Sequence, residues 1–260
     1  MKNASIVFLH FMADGRPRSM QNLLRKIRRR LWRTSSDSSS QNVISSLREP
    51  FVSVLNSMYC GEPQLGADGT MHSIDTITRI DPAQGMQIYK LVCDTKPDNT
   101  LEIGLGYGFS TVYFLAAILA NGKGHHVAID PYQIHPWNGV GLTREKVLGI
   151  EPGVFEHVSE SSFQALLRFG KEARRFGTIL IDGDHKFDYT LIDFSLATFV
   201  CGPGGHIILD DMWMPSIQRV AAFIRLNLPN FTEVATPIQN IALFQMTGPD
   251  QRQWDHFVRF

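Results

Sequence analysis

From residue 82 onward, short β-branched runs alternate with stretches whose apolar positions recur at helical spacing. Pro82 suits a first helical turn, and Met86, Ile88, Leu91 and Val92 give that helix an apolar stripe up to Lys96-Pro97. A strand over Thr100–Leu105, a glycine-rich turn and a helix from Ser110 to Ala120 follow, the helix ending at Asn121-Gly122. Strands are expected at His125–Ile129, before Asp130-Pro131, and at Phe155–Ser159; the helix after them carries Phe163, Leu166, Leu167 and Phe169. The runs Thr178–Ile181 and His206–Leu209 read as buried parallel strands, joined by an apolar helix over Tyr189–Val200 that Gly202-Pro203-Gly204-Gly205 closes. A helix over Ser216–Leu226 and strands over Phe231–Val234 and Ile241–Met246 complete the pattern. Such alternation implies an α/β fold with a seven-stranded, mostly parallel sheet and helices on both faces.

The first fifty residues differ. Over 23–33, Leu23, Leu24, Ile27, Leu31 and Trp32 fall near one helical face with Arg and Lys elsewhere, and a Ser-rich stretch follows over 34–41. This N-terminal helical extension reads either as a peripheral membrane or protein contact or as a solvated tail helix. The expected organisation is an extension over 1–50, a helical lead-in and acceptor lid over 51–98, a core over 99–248 and a tail over 249–260. A chain of 260 residues, 43% hydrophobic, holds one large α/β domain plus an extension rather than two full domains. Lys+Arg and Asp+Glu both number 25, so any preference for a charged partner must be local. Cys60, Cys93 and Cys201 form neither a Cys-x-x-Cys pair nor a disulfide framework, which points to free thiols in a reducing cytoplasm. The apolar stretch Ile6–Met12 is too short to span a bilayer, and neither a signal peptide nor a transmembrane helix is expected.

Two acidic clusters close neighbouring strands: Asp182-Gly183-Asp184-His185 and Asp210-Asp211. Ligands of open α/β sheets bind at the C-terminal edge, where these carboxylates fall. Asp182, Asp210 and Asp211 make a candidate set for Mg²⁺ or another divalent cation, because hard oxygen ligands suit such ions and three carboxylates without a cation would repel one another. Upstream, Glu102-x-Gly104-x-Gly106-x-Gly108 follows a strand and opens a helix; its glycines allow close backbone approach, and the helix N-terminus can hold a carboxylate or phosphate.

With the third glycine one residue earlier than in a dinucleotide fingerprint and an acid before the first, this loop resembles motif I of the Rossmann-like class I S-adenosylmethionine-dependent methyltransferases. The resemblance covers roughly residues 75–248 and implies S-adenosyl-L-methionine as cofactor, with Glu102, Gly104, Gly106, Tyr107, Gly108 and Ser110 under its methionine part and Asp130 on its ribose hydroxyls. Glu160 and Ser161 stand where the superfamily contacts adenine, although Ser159-Glu160-Ser161-Ser162 equally suits a helix cap. Asp182 closes the cofactor site as well as the metal set.

The acids, together with Ile80-Asp81-Pro82-Ala83-Gln84-Gly85, resemble the metal-dependent O-methyltransferases of the catechol, caffeoyl-coenzyme A and antibiotic-sugar types. Closest is a bacterial group with Gly-Glu-Pro-Gln-Leu-Gly (61–66), Ile-Asp-Pro-Tyr-Gln (129–133) and Ile-Asp-Gly-Asp-His (181–185). The implied activity is methylation of a hydroxyl on a small molecule, with Asp184 or His185 taking the proton. Tyr59, Trp137 and Trp213 are candidates to stack on the acceptor, or simply to pack. Nucleic acid is not an expected partner, because the basic residues cluster on the tail, and a dimer is the oligomer to test. A metal-free methyltransferase and a non-catalytic cofactor-binding module are the competing readings.

Overall fold

A computed structural model describes residues 43–75 and 77–260; the basic stretch 23–33 and the Ser-rich 34–41 lie outside the described residues. The chain runs from helix α1 (Phe51–Tyr59) through an antiparallel hairpin, β1 (Gln64–Leu65) and β2 (Met71–His72), to helix α2 (Pro82–Thr95). Asp81 accepts from Ala83 N at 2.9 Å while its own N–H donates to Gln84 Oε1 at 2.7 Å, a reciprocal cap that satisfies two helix-end donors of α2.

Strands and helices then alternate: β3 (Asn99–Ile103), α3 (Phe109–Asn121), β4 (His125–Ile129), a short α4 (Arg144–Val147), β5 (Phe155–Val158), α5 (Ser162–Lys171), β6 (Phe176–Ile181) and α6 (Phe187–Val200). After them come β7 (Cys201–Leu209), α7 (Pro215–Asn227), β8 (Phe231–Val234) and β9 (Ala242–Met246). The seven strands β3–β9 form one sheet in the order β5-β4-β3-β6-β7-β9-β8, parallel except where β9 runs against β7 and β8.

Most boundaries shift by one or two residues from the sequence expectation, and two of the shifts have a cause in the backbone. β3 stops at Ile103, not Leu105, because Gly104 takes φ +96° and turns the chain. β7 begins at Cys201, so the Gly-Pro-Gly-Gly closure lies inside the strand span; Cys201 pairs with Phe176, and the register slips before Thr178 pairs with His206. Glycine and proline within a strand commonly mark such an irregularity.

Side-chain alternation splits the core into two layers. Leu101, Ile103, Val127, Ile129, Ile179, Ile181, Ile207 and Leu209 pack with Phe169, Phe194 and Ile224 of the α5–α7 layer. Leu180 and Ile208 face the opposite layer, with Phe51, Ile88 and Tyr113 of α1–α3. Each fully buried side chain of this kind contributes roughly 1.5–3 kcal/mol.

Register positions the candidate site. Ile103 pairs with Ile129 and with Ile181, Ile129 with Val158, and Ile181 with Leu209. The ladder continues one residue further: Gly104 N donates to Ile129 O at 2.9 Å, Asp130 N to Val158 O at 3.1 Å, Asp182 N to Ile103 O at 2.9 Å and Asp210 N to Ile181 O at 3.2 Å. Parallel pairing alone therefore lines up Asp130, Gly104, Asp182 and Asp210 in one row along the C-terminal edge. Among the described residues no helix is long and apolar enough to cross a membrane.

Candidate functional site

The glycine loop occupies the middle of that row. A Cβ on Gly104 would lie 2.2 Å from Asp182 O, so a side chain there would collide with backbone. Gly106 has φ +50°, yet a Cβ built on it meets nothing within 4 Å: its outer face is open. Gly108 caps α3 without a side-chain hydrogen bond, which leaves helix N–H groups to face an anionic ligand. An amino-acid carboxylate fits this end, and a ligand lying across Gly106 fits the open face.

Glu102 and Ser110 turn the other way. Glu102 is fully buried and accepts from Ser110 Oγ at 2.5 Å and from the Thr111 hydroxyl; His126 Nε2 lies 3.1 Å from its Oε1. Thr100 Oγ1 stands 2.8 Å from His126 Nδ1, and the imidazole stacks between Phe114 and Phe155 at centroid distances of 4.5 and 5.8 Å. A neutral imidazole in this network carries its proton on Nε2 and accepts from Thr100. The network ties α3 to β3 and β4 beneath the loop. Tyr107 is buried and meets Trp137 edge-on at 4.9 Å.

Asp130 stands beside the loop, 6% exposed. Its Oδ2 accepts from Leu105 N at 3.2 Å, Gly106 N at 3.1 Å and Gln133 Nε2 at 2.7 Å, and its Oδ1 from Tyr132 N at 2.8 Å. Ser161 takes the capping role: it is the N-cap of α5, accepting from Gln164 N at 3.3 Å. Glu160 pairs with Arg168 at 3.0 Å.

At the acid end, Asp182, His185 and Asp211 each aim one ligand atom into a common space, all within 4.8 Å of one another. His185 Nε2 lies 3.3 Å from Asp182 Oδ1 and 3.1 Å from Asp211 Oδ2, but without the alignment of a hydrogen bond. Burial alone would lower the His185 pKa; the two carboxylates outweigh it and push it up to about 10. Burial also raises the Asp182 pKa, against the opposing pull of His185. Asp211 sits at φ +56°, and its Oδ1 accepts from Trp213 Nε1 at 2.9 Å and Asn240 Nδ2 at 3.4 Å. Ser216 Oγ donates to His185 O at 2.7 Å and anchors the turn from α7.

The three atoms brought together thus come from Asp182, His185 and Asp211, and not from the expected Asp182, Asp210 and Asp211. Asp210 Oδ1 instead accepts from Gln84 Nε2 of α2, and burial holds its pKa well above the usual carboxylate value. Asp184 accepts from Lys186 Nζ at 3.0 Å and from Lys186 N at 3.3 Å, with its side chain partly exposed. Tyr59 packs on Phe109 and shares a hydrogen bond with Tyr113 at 3.1 Å, so it is a core residue here; burial raises its pKa. His72 Nε2 lies 2.9 Å from Asp68 Oδ1. Sequence reasoning missed His126, Gln133, Gln84 and Asn240; Gln84 and Gln133 lay in the family-like segments 80–85 and 129–133, His126 only in an expected strand, and Asn240 in neither.

Residues 101–212 match the family described as "Methyltransferase domain". The S-adenosylhomocysteine-bound methyltransferase PaMTH1 of Podospora anserina is 14% identical with a TM-score of 0.60, over 81% of this chain and 94% of its own. An O-methyltransferase of Bacillus cereus in complex with S-adenosylhomocysteine is 19% identical with a TM-score of 0.53, over 85% of this chain and 96% of its own. The O-methyltransferase TomG of Streptomyces achromogenes, involved in tomaymycin synthesis and bound to S-adenosylmethionine, is 17% identical with a TM-score of 0.53, over 78% and 92%. At these identities the likeness is one of fold. No curated protein matches the sequence.

Proposed function

We propose that this chain, which has the class I methyltransferase fold and matches a methyltransferase-domain family over residues 101–212, is an S-adenosylmethionine-dependent O-methyltransferase that uses a divalent cation to act on a hydroxyl of a small molecule. The observation that carries this reading is the shared edge row: the open glycine loop and Asp130 on one side, Asp182 with His185 and Asp211 on the other, joined where Gly104 touches Asp182.

Bound S-adenosylmethionine supplies an electrophilic methyl group on a sulfonium. The loop backbone at Gly106 would let it approach, the first N–H groups of α3 would hold its carboxylate, and Asp130 would accept from its ribose. Asp182, His185 and Asp211 would hold a cation, because each offers one ligand atom to a common space and His185 Nε2 stands 3.3 and 3.1 Å from the two carboxylate oxygens. The imidazole widens the choice from Mg²⁺ to Mn²⁺ and related ions. A bound divalent ion lowers the pKa of a hydroxyl it holds. With His185 turned toward two carboxylates, Asp184 is left as the partly exposed group able to take the proton.

A metal-free variant has one observation in its favour. A protonated His185 between Asp182 and Asp211 would itself neutralise the acids, as its raised pKa allows. Methyl transfer from S-adenosylmethionine across a library of sugars, phenols and macrolides, with chelator or with Mg²⁺ and Mn²⁺, decides between them. The expected result is turnover abolished by chelator and restored by the ion; full turnover in chelator selects the imidazolium reading, and cofactor binding without any turnover selects a non-catalytic module.

A further inference from the structure

Beside Asp130 the hydrogen bonds are unevenly shared. Three donors converge on Oδ2, one reaches Oδ1, and Gln133 Oε1, buried within the same group, has no partner at all. Gln133 is 2% exposed, and its Nε2 donates to Asp130 Oδ2 at 2.7 Å and to Gly106 O at 3.0 Å. Both neighbours are acceptors, so flipping the amide would set oxygen against oxygen twice; the orientation is fixed and the orphan oxygen is a property of the site. A buried amide oxygen without a donor is costly, and a carboxylate oxygen offers only two lone pairs. The open acceptors are therefore Asp130 Oδ1, with its single donor, and Gln133 Oε1, and a ligand with two adjacent hydroxyls can give one to each while the amide keeps both of its bonds.

We infer that Gln133 is a ribose-selecting residue, whose orphan Oε1 accepts a hydroxyl of the cofactor's ribose diol while its Nε2 keeps its bonds to Asp130 and Gly106. The inference rests on the cofactor reading above. Gly141 packs against the same group, and a Cβ there would fall 2.8 Å from Gln133 Oε1 and cover it.

The test is calorimetric binding of 5′-methylthioadenosine and its 2′-deoxy and 3′-deoxy forms to the wild type, Gln133→Met and Gln133→Asn, with thermal unfolding to show that each variant is folded. Met removes the acceptor, and Asn keeps an amide one carbon too short to reach. The wild type is expected to favour the full ribose by about 10-fold or more over at least one deoxy form, as sites built around a hydroxyl do. In the folded variants that preference should fall below about 3-fold, while the deoxy form binds nearly as before. A uniform loss of affinity for all three ligands, or an unchanged preference, overturns the inference and leaves Gln133 as a support of the loop. Failure of the wild type to bind any of the three overturns the cofactor reading itself, and this inference with it.

Discussion

The two halves of the sheet edge are built on opposite terms. At the glycine loop, charge is met by hydrogen-bond donors: Glu102 by two hydroxyls and an imidazole, Asp130 by three backbone amides and an amide side chain. At the acid end, charge is met by charge: Asp182 and Asp211 flank His185, and Asp210 lies buried behind them against Gln84. Carboxylates that share a site repel one another unless a positive charge stands between them. The first half holds its acids with donors, and the second holds two of its acids around one imidazole. The comparison teaches that acidity of sequence says little by itself; the donors around each carboxylate decide whether it is structure or chemistry.

The largest effect is expected where the halves touch. Gly104→Ala would drive a methyl group into Asp182 O at a backbone angle glycine alone adopts freely, so a stability loss above about 4 kcal/mol is expected in denaturant unfolding. Near-wild-type stability would show that the two halves yield independently.

A smaller effect separates charge that serves the acid end from charge that only burdens it. Asp193 of α6 is 4% exposed, lies behind Gly183, and burial pushes its pKa up to about 6. A raised acid pKa stabilises the fold at low pH, and that stability is lost as pH rises from the unfolded value of 3.8 through about 6. Asp193→Asn should remove that slope and gain on the order of 2–3 kcal/mol at pH 8, shrinking toward zero below pH ~4, measured by unfolding across pH. A pH-independent difference would mean that Asp193 already has a counter-charge.

The smallest test concerns the loop half. Ser161→Ala should cost about 1 kcal/mol through loss of the α5 cap and leave cofactor affinity unchanged. A tenfold weaker affinity in a folded variant would return Ser161 to adenine contact.

Much of the fold was legible because period carries it: the seven strands, the helices between them except the short α4, and the acids at strand ends follow from alternation and from runs such as Thr178–Ile181. Spacing does not tell which face a side chain takes. Glu102 sits between Leu101 and Ile103, which pack toward the α5–α7 layer, so it points beneath α3 and not across the loop. Asp210 follows the strand pleat toward α2, whereas Asp211 enters a left-handed turn that swings it to His185. Gln84 and Asn240 reach their acids from 126 and 29 residues away, and no local pattern announces such partners. His185, three residues past Asp182, was legible as a neighbour of the acids; that it faces both carboxylates depends on the bend at Asp211.

The ladder that runs one residue beyond the strands has a consequence for motion. The amides of Gly104, Asp130, Asp182 and Asp210 are bonded to the last carbonyls of neighbouring strands, so their hydrogens exchange with solvent only when the central sheet opens. The backbone of the site thus shares the slow clock of the core, and rapid adjustment there falls to side chains.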